Sequence, residues 1–496
     1  MPAPTIVLTA PRTLMAGYRL LFDGVLACNQ TTWTPRLVAN TLLMPRQNGG
    51  RPVVAPLGLR RVEAALVRDG FDRDAVAVVP ADRLGEVVGP ETRVIGLTAG
   101  DPTGRGMSST TVCAIVGGRP LTARAHRDLL RQIGRAARRP GHSPSVIAGG
   151  PGAWQLEHST PDLIDHIVAG YAEANAAEVF RATADGTDQP RVIQGRAPRA
   201  EEIPTVLGPT TMGAVETSRG CGLGCSFCSL ARIPMEHLPE QTILGDIETN
   251  LAAGQPHPCL VNEDLFRYGA KGTTVRPDAL IALLERLRAM DGIGVIQSDH
   301  ANVLSVSQWS DEDLRTVRRL MVGRTGQKMP WLNVGVETAS GELLRANGGG
   351  AKMGACPDDE WAAFASHQLR RLIEAGFFPF ASVVLGLSGE TTEHVRLTRE
   401  WVDTLSDEPL GIFPVLNAPT DGSQGPGRDD LAREQWELIR ACYRINFRWI
   451  PRMYDDGQRA SGVGIGRRTL MQLLGRGHAA LWKTLLMIRT RRADDR

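Results

Sequence analysis

Three cysteines lie within eight residues, at Cys221, Cys225 and Cys228, in the segment Cys-Gly-Leu-Gly-Cys-Ser-Phe-Cys. Thiolates this close together are ligands for zinc or for iron–sulfur clusters. A closed zinc site needs four ligands, and the nearest further candidates, His257 and Cys259, form no second Cys-x2-Cys or His-x3-His pair. Three thiolates on a four-iron cluster leave one iron free for another molecule. The spacing therefore favours such a cluster, with half of a zinc site or a group of buried thiols as alternatives.

The segment resembles the Cys-x3-Cys-x2-Cys signature of the radical S-adenosylmethionine (SAM) superfamily. The likeness extends to its flanks, because Glu216-Thr-Ser-Arg219-Gly220 precedes the first cysteine and the aromatic Phe227 precedes the third. The resemblance implies that the three cysteines hold a [4Fe–4S] cluster, with Phe227 beside the cofactors. It also implies that the open iron chelates SAM, which one electron splits into methionine and a 5′-deoxyadenosyl radical.

The composition indicates a globular protein without a strong electrostatic field. The chain has 496 residues, 42% hydrophobic and 22% charged, with a net charge of +2; this length predicts about two to four domains. The amino terminus, Met1-Pro-Ala-Pro-Thr5, lacks the pattern of a signal peptide, and no apolar run approaches the ~20 residues of a membrane span. The eight cysteines are sparse and show no paired pattern, which suits a reducing compartment. We expect a cytoplasmic protein with no membrane span, and a nucleic-acid substrate is disfavoured.

Residues 1–185 alternate short apolar runs with helical patterns. This alternation predicts an α/β domain with a doubly wound, Rossmann-like parallel sheet. Helices are predicted over residues 59–66 and 123–137. The predicted strands are Thr5–Thr9, Ala75–Val79, Arg93–Leu97, a run from Val146 to Gly149, and Asp165–Val168.

Two glycine turns in this domain resemble those of cobalamin-binding domains in B12-type radical-SAM proteins. They are Gly149-Gly150-Pro151 and Asp165-His-Ile-Val-Ala-Gly170-Tyr171-Ala-Glu173, with Tyr171 where an acid is usual. The resemblance implies cobalamin contacts at Gly149, Gly150 and Gly170, and we add Ser108 from a small-residue loop that could cover a corrin. No histidine lies in an Asp-x-His-x-x-Gly motif, so no axial histidine is predicted. A structural domain without cofactor is the alternative.

Residues 186–212 are rich in Pro and Gly and predict a linker, and residues 213–425 predict a second alternating unit. Its six strand-like segments predict a partial (βα)6 TIM-type barrel, with chemistry at the carboxyl ends of the strands. Helices are predicted over residues 242–251 and 278–290. The predicted strands are Ala214–Thr217, Cys259–Asn262, Gly294–Gln297, Leu332–Val336, Phe380–Leu385 and Gly411–Val415.

Polar residues at the predicted strand ends match the family. Glu263 and Asp264 resemble an acidic pair near SAM or substrate, for which we predict catalytic roles, and Glu337 resembles an acid set against the SAM ribose or amino group. Gly386-Leu-Ser-Gly389-Glu-Thr resembles the Gly-x-Pro-Gly-Glu-Thr turn that follows the fifth strand, which implies cofactor contacts at Gly386 and Gly389. Each acid could instead serve as a helix cap or a rim salt bridge.

Two further segments are not predicted to be functional. Gly348-Gly-Gly-Ala-Lys-Met-Gly354 lacks the residue order of a phosphate-binding loop and is predicted to be a mobile loop near the barrel rim. His300, placed just after the third strand, is predicted to be a hydrogen-bonded rim residue.

Residues 426–496 contain two amphipathic segments, Leu431–Ile450 and Leu470–Arg491, which predict a helical domain capping the barrel mouth. As a whole, the chain resembles a cobalamin-dependent radical-SAM enzyme that methylates an unactivated carbon of a small molecule or peptide. The resemblance implies a [4Fe–4S] cluster, SAM and cobalamin as cofactors, and a flavodoxin- or ferredoxin-type electron donor. The alternatives are a radical-SAM rearrangement, cyclisation or sulfur-insertion enzyme without cobalamin, and a non-catalytic iron–sulfur or cobalamin-binding protein.

Overall fold

The amino-terminal unit is built on one six-stranded parallel sheet. The computed structural model describes residues 3–47, 51–137, 143–157, 162–418 and 425–494. Its first strands consist almost entirely of buried residues, as expected for a parallel sheet covered on both faces. The strands are β1 (Ile6–Thr9), β2 (Val76–Val78), β3 (Val94–Thr98), β4 (Ser145–Gly149), β5 (His166–Ala169) and β6 (Val192–Gln194).

The strand order β2-β1-β3-β4-β5-β6 places a topological switch point between β1 and β3, where doubly wound sheets bind ligands. The doubly wound prediction is confirmed, although β6 lies in the segment predicted to be a linker. That strand was missed because it is short, largely exposed and surrounded by Pro and Gly. The helices are α1 (Leu21–Cys28), α2 (Arg36–Val38), α3 (Leu57–Arg68), α4 (Leu84–Val87), α5 (Met107–Val116), α6 (Leu121–Ala137), α7 (Trp154–Glu157) and α8 (Ala176–Ala184).

The second unit is a partial barrel of parallel strands in chain order, as predicted. Along β13, Leu332, Val334 and Val336 are fully buried under the outer helices, whereas Asn333 and Gly335 lie on the opposite, lumen-facing side. The barrel strands are β7 (Ala214–Glu216), β10 (Cys259–Val261), β11 (Gln297–Ser298), β12 (His300–Asn302), β13 (Trp331–Glu337), β14 (Phe378–Leu385) and β15 (Gly411–Leu416), and a hairpin of β8 (Ser218–Arg219) and β9 (Glu236–His237) follows β7. The helices are α9 (Glu240–Ala252), α10 (Pro277–Ala289), α11 (Val303–Ser307), α12 (Asp311–Val322), α13 (Gly341–Ala346), α14 (Gly350–Met353), α15 (Trp361–Glu374) and α16 (Thr392–Thr404).

The third barrel strand differs from its prediction. Residues 294–296 are not in a strand, and the pairing begins at Gln297, breaks at Asp299 and resumes at His300. His300 therefore lies within the third strand position and not after it. The apolar run Gly294-Val-Ile marks the approach to the strand, whereas the paired residues themselves are polar.

Two long helices end the chain, α17 (Arg433–Ala460) and α18 (Ile465–Asp494). Gln435 at the start of α17 donates to Glu390, beyond the carboxyl end of β14, whereas Met453 near its end packs on Phe378, the first residue of β14. This helix therefore runs along the outside of the barrel toward the amino ends of the strands. Helix α17 itself does not cover the mouth, whereas the helical carboxy-terminal region that the sequence predicts is confirmed. None of the helices in the described ranges is both long enough and apolar enough to cross a membrane.

The amino-terminal unit packs along the gap that the partial barrel leaves open. On one edge, Thr111 of α5 accepts a hydrogen bond from the Leu416 amide of β15. On the other edge, Arg61 of α3 forms a buried ion pair with Asp246 of α9. Met107, the first residue of α5, and Phe227 of the cysteine segment pack against the same cluster of buried barrel side chains. The sheet domain therefore closes the barrel laterally and reaches the cysteines.

Candidate functional site

The cysteine segment is the loop of the β8–β9 hairpin, at the carboxyl end of β7. Gly222 and Gly224, between the cysteines, have φ values of +71° and +80°, which strongly favour glycine. The Cys221 amide donates to the Ile233 carbonyl at 2.9 Å, and Arg267 donates to the Cys221 carbonyl at 3.0 Å. The loop backbone is therefore held on both sides, while the thiol groups remain available.

All three thiols are free, and Cys225 is buried whereas Cys221 and Cys228 are part-exposed. Burial raises the pKa of Cys221 and Cys225; Lys352 opposes the shift of Cys225, whereas Glu337 and the other two cysteines add to it. In the described part of the chain, no three His, Cys, Asp or Glu side chains converge on a single-ion position. Metal binding removes the proton from a thiol ligand. A raised pKa of the free thiols therefore does not prevent these cysteines from acting as ligands.

Asn347 joins the cysteine loop to two other barrel loops. Its carbonyl accepts the Ser226 amide at 2.9 Å, and its side-chain amide donates to the Ser388 carbonyl at 2.9 Å. Asn347 is buried, so both bonds are shielded from water. The loop after α13 thereby fixes the cysteine loop relative to the turn that follows β14.

An ion pair lies on the lumen face of β13, next to the cysteines. Glu337 ends β13 with a φ of +71°, unusual for a non-glycine residue, and its carboxylate accepts a hydrogen bond from the Lys352 ammonium. Ser382 donates to the other carboxylate oxygen at 3.3 Å. A Cβ on Gly335 would collide with both charged groups, so the glycine provides their space. The pair and its strained backbone mark this position as a functional candidate.

Lys352 is the functional candidate that sequence reasoning missed. The predicted mobile loop contains the short helix α14, which buries Lys352 to 5% exposure. Burial opposes a charged lysine, but Glu337 and Cys225 outweigh it and raise the pKa of Lys352 above its ordinary value. Lysine is rare in this chain, so a lysine inside a glycine-rich segment near the strand ends was a weak indication of a functional residue.

The two acids after β10 have different surroundings. Asp264 is fully buried, accepts from the Ser305 hydroxyl at 2.9 Å, and has its pKa raised to about 7 by burial. Glu263 is part-exposed, and burial raises its pKa while His300 opposes the shift. Asp264 therefore anchors the turn after β12, whereas Glu263 remains open toward the lumen.

His300 lies between carboxylates on the lumen side. Its Nδ1 is 3.3 Å from a carboxylate oxygen of Asp299. Burial opposes protonation, but Asp299, Glu263 and Glu337 outweigh it and raise the pKa of His300 to about 9. These carboxylates therefore favour the protonated form of His300.

Buried polar atoms around the barrel lumen lack partners within the described residues. They include Oδ1 of Asn262, Oδ1 of Asn302, Oδ1 of Asn333 and Oδ2 of Asp264. Unpartnered buried acceptors are costly and point to an absent donor. SAM carries an ammonium group, ribose hydroxyls and an adenine amine, all of which donate. The lumen therefore fits SAM, and the adjacent thiols fit a cluster.

A buried ionic network joins the sheet domain to the residue before the cysteine loop. Arg219 donates to Glu173 at 2.8 Å and to Glu216 at 2.9 and 2.8 Å. Its guanidinium lies over the Tyr171 ring, 4.0 Å from the ring centre. Tyr171, which departs from the family pattern, thus replaces a carboxylate by a cation–π contact.

The predicted cobalamin contacts are spread along one edge of the sheet. Gly149 ends β4, and Gly150 begins the turn that packs against the end of β3; Gly170 is exposed after β5. Ser108 follows Met107 at the start of α5, near the cysteine loop. Nearby, the buried Thr9 hydroxyl at the end of β1 has no partner among the described residues. This edge has the position and an unpartnered polar group expected of a ligand site.

The turn containing Gly386 and Gly389 follows β14 at the same end of the barrel. The Gly386 amide donates to Glu390 at 3.0 Å, so the turn is closed by its own acid. Both glycines are exposed. Their contact with a cofactor remains a prediction.

No protein-family model matches the chain. Among curated proteins it is similar to the ribosomal protein uS12 methylthiotransferase RimO. It is 24% identical to that of Bradyrhizobium sp. over 256 residues, 47% of this chain and 52% of the relative. It is 26% identical to that of Bordetella pertussis over 275 residues, 52% of this chain and 58% of the relative. The chain thus matches about half the length of these relatives.

Two solved proteins share the fold over most of the chain. The radical SAM methyltransferase TsrM from Kitasatospora setae, solved with tryptophan substrate and a SAM analogue, aligns with TM-score 0.53 at 15% identity, covering 84% of this chain and 75% of TsrM. The cobalamin-dependent SAM radical enzyme OxsB, solved with aqua-cobalamin, aligns with TM-score 0.51 at 13% identity, covering 81% of this chain and 52% of OxsB. The predicted resemblance to B12-domain radical-SAM proteins, and the fold it implied, are confirmed.

Proposed function

We propose that the protein is a cobalamin-dependent radical-SAM methyltransferase acting on an unactivated carbon. The observation that carries the proposal is the cysteine loop packed against the Glu337–Lys352 pair at the mouth of the barrel. Bound there, a cluster with one open iron would supply the electron that cleaves SAM, and cobalamin would supply the methyl carrier. The fold it shares with TsrM and OxsB supports the assignment.

Different residues of this chain would then hold the cluster and contact SAM. Cys221, Cys225 and Cys228 hold three irons, and the Asn347 bonds keep their loop in register with the barrel. Lys352 binds the carboxylate of SAM, and Glu337 accepts from its ammonium or ribose hydroxyls. These are charge-complementary contacts in a buried site, where hydrogen bonds to ions are strongest.

The substrate would lie between the sheet domain and the lumen. Burial raises the pKa of Tyr171 on the sheet side, and carboxylates that include Glu263 on the barrel side add to the shift. Glu263, Asp299 and His300 supply polar contacts for orienting a substrate, and Phe227 with Met107 excludes water from the cysteine side. A small molecule or a peptide is the proposed substrate, and a flavodoxin- or ferredoxin-type protein the proposed electron donor.

Methylthio transfer is the second candidate, favoured by the likeness to RimO over half of the chain. A sulfur-insertion enzyme is one of the alternative functions that the sequence allows, and that alternative does not use cobalamin. Retention of a corrin by the protein would therefore separate the two candidates.

The test is anaerobic reconstitution with iron, sulfide and hydroxocobalamin, followed by desalting and an optical spectrum. The proposal predicts about one corrin per chain beside the cluster absorption. Thr9→Val, at the switch point, should weaken corrin retention without altering iron content. A cluster without corrin would contradict methyl transfer from cobalamin and turn attention to methylthio transfer.

A further inference from the structure

A cavity lined by arginines lies on the sheet domain, apart from the cysteine site. Its volume is about 370 Å³, and its lining is almost entirely charged or hydroxylated. It is bounded by one face of α6 and by the loop that leads into α2. The lining consists of Arg36, Arg119, Arg124, Arg127, Arg131 and Asp128, together with Thr32, Thr34 and Pro35.

The positive charge of this cavity is largely uncompensated. Asp128 is its one acidic residue, and it pairs with Arg131 at 3.1 Å. Within the described ranges, none of Arg36, Arg119 or Arg124 has an ion pair with a carboxylate, and the same holds for Arg127. Burial, Arg36 and Arg127 lower the pKa of Arg124, and Asp128 opposes this shift only in part. Crowded like charges cost stability unless an anion joins them.

The walls of the cavity are held in place without a ligand. The Thr32 amide donates to the Arg119 carbonyl at 2.8 Å, and the Arg119 amide donates back to the Thr32 hydroxyl at 3.1 Å. Arg124, Arg127 and Arg131 follow one another at three- and four-residue spacing on α6, so they share one helix face. The backbone of the wall is therefore already fixed, and an anion would have to order only the arginine side chains.

We propose that this cavity binds a ligand through a diphosphate group. Guanidinium groups form paired hydrogen bonds with phosphate oxygens, and several negative charges on one small group match several arginines around one hollow. A bounded hollow suits a small group better than a nucleic-acid backbone, which would need an extended groove. Free diphosphate and a nucleoside diphosphate share this chemistry.

The cavity is distinct from the cysteine site but linked to it by one element. Helix α5 begins at Met107, which packs against the same cluster of side chains as Phe227, and leads through Gly117 and Gly118 to Arg119. Its ten residues span about 15 Å. The diphosphate site therefore stands independently of the proposed methyl transfer.

Isothermal titration calorimetry of the full chain with inorganic pyrophosphate at low salt tests the proposal. We expect saturable binding of about one pyrophosphate per chain, weakened about tenfold or more by Arg124→Gln with Arg127→Gln. The matched control is Arg315→Gln with Arg319→Gln on α12, which removes the same charge from an exposed helix face and should leave the affinity within about twofold. Binding should also survive in Cys221→Ala, which separates it from the cluster site.

Parallel titrations identify the source of the diphosphate. Tighter binding of ADP than of pyrophosphate would assign a nucleoside diphosphate, and equal binding would assign the free anion. No saturation by about 1 mM pyrophosphate, or equal loss in both double variants, would overturn the proposal. Tighter binding of a uridine oligonucleotide than of pyrophosphate would also overturn it, in favour of single-stranded nucleic acid.

Discussion

At the residue scale, we expect the buried charge of Lys352 to contribute strongly to SAM binding. Its ammonium pairs with Glu337 beside the thiols, in a position that reaches the proposed SAM site. Lys352→Met should weaken SAM binding to the reconstituted protein about tenfold or more, because a buried charge-assisted bond is lost. Equilibrium dialysis with labelled SAM measures the change, with Lys352→Arg as the conservative control.

Decarboxylated SAM makes that experiment specific for the carboxylate. The wild-type protein should prefer SAM over its decarboxylated analogue, and Lys352→Met should lose most of this preference. If the variant weakened both ligands equally, Lys352 would support the loop and not bind the carboxylate.

The raised pKa of Asp264 predicts that the stability of the protein depends on pH. Burial raises its pKa to about 7 in the folded protein, above the unfolded value of about 3.9, so the folded state binds the additional proton between these values. Folding is therefore favoured at low pH by this group, and the benefit is lost as pH rises toward about 7. Asp264→Asn should gain about 2–3 kcal/mol relative to wild type between about pH 5 and pH 8.

Urea unfolding of both proteins at the two pH values gives this difference. The exposed Asp278→Asn, at the start of α10, is the control and should show no comparable gain. A constant difference between wild type and Asp264→Asn across this range would show that Asp264 titrates normally.

At the scale of elements, the hairpin that carries the cysteines depends on the Arg219 network. Glu173→Gln should leave Arg219 with a weaker partner in a buried site, which loosens the start of the cysteine loop. Hydrogen exchange of residues 218–228 in the cluster-free protein should then accelerate about tenfold or more. Glu178→Gln, which removes only an exposed pair with Arg196, should leave this exchange unchanged. Equal exchange in both variants would contradict a positioning role for the network.

Apolar strands and amphipathic helices could be predicted because their periodicity reflects burial. The runs at β1, β3, β13 and β14 are of this kind. The third strand position was misplaced because its paired residues, Gln297 to Asn302, are mostly polar. Helix α14 was not predicted because its four residues are too few to show helical periodicity, and the glycines around Lys352 favour a loop. These are places where the site overrides local sequence preference.

At the scale of the whole molecule, the packing of elements that are far apart in the chain could not be predicted from the sequence. The cysteine spacing predicted the chemistry, and alternating elements predicted both α/β units. The path of α17 along the barrel, and the closure of the barrel gap by α3 and α5, depend on contacts between residues far apart in sequence. The arginine cavity likewise joins α2 to α6 across many residues.

The central claim is that the three cysteines hold a cluster that cleaves SAM. The most direct measurement is 5′-deoxyadenosine released from SAM by the reduced, anaerobically reconstituted protein. We predict release by the wild type, and loss of both cluster iron and release in Cys221→Ala. Unchanged release in Cys221→Ala, or none from a wild-type protein with a full cluster, would contradict it.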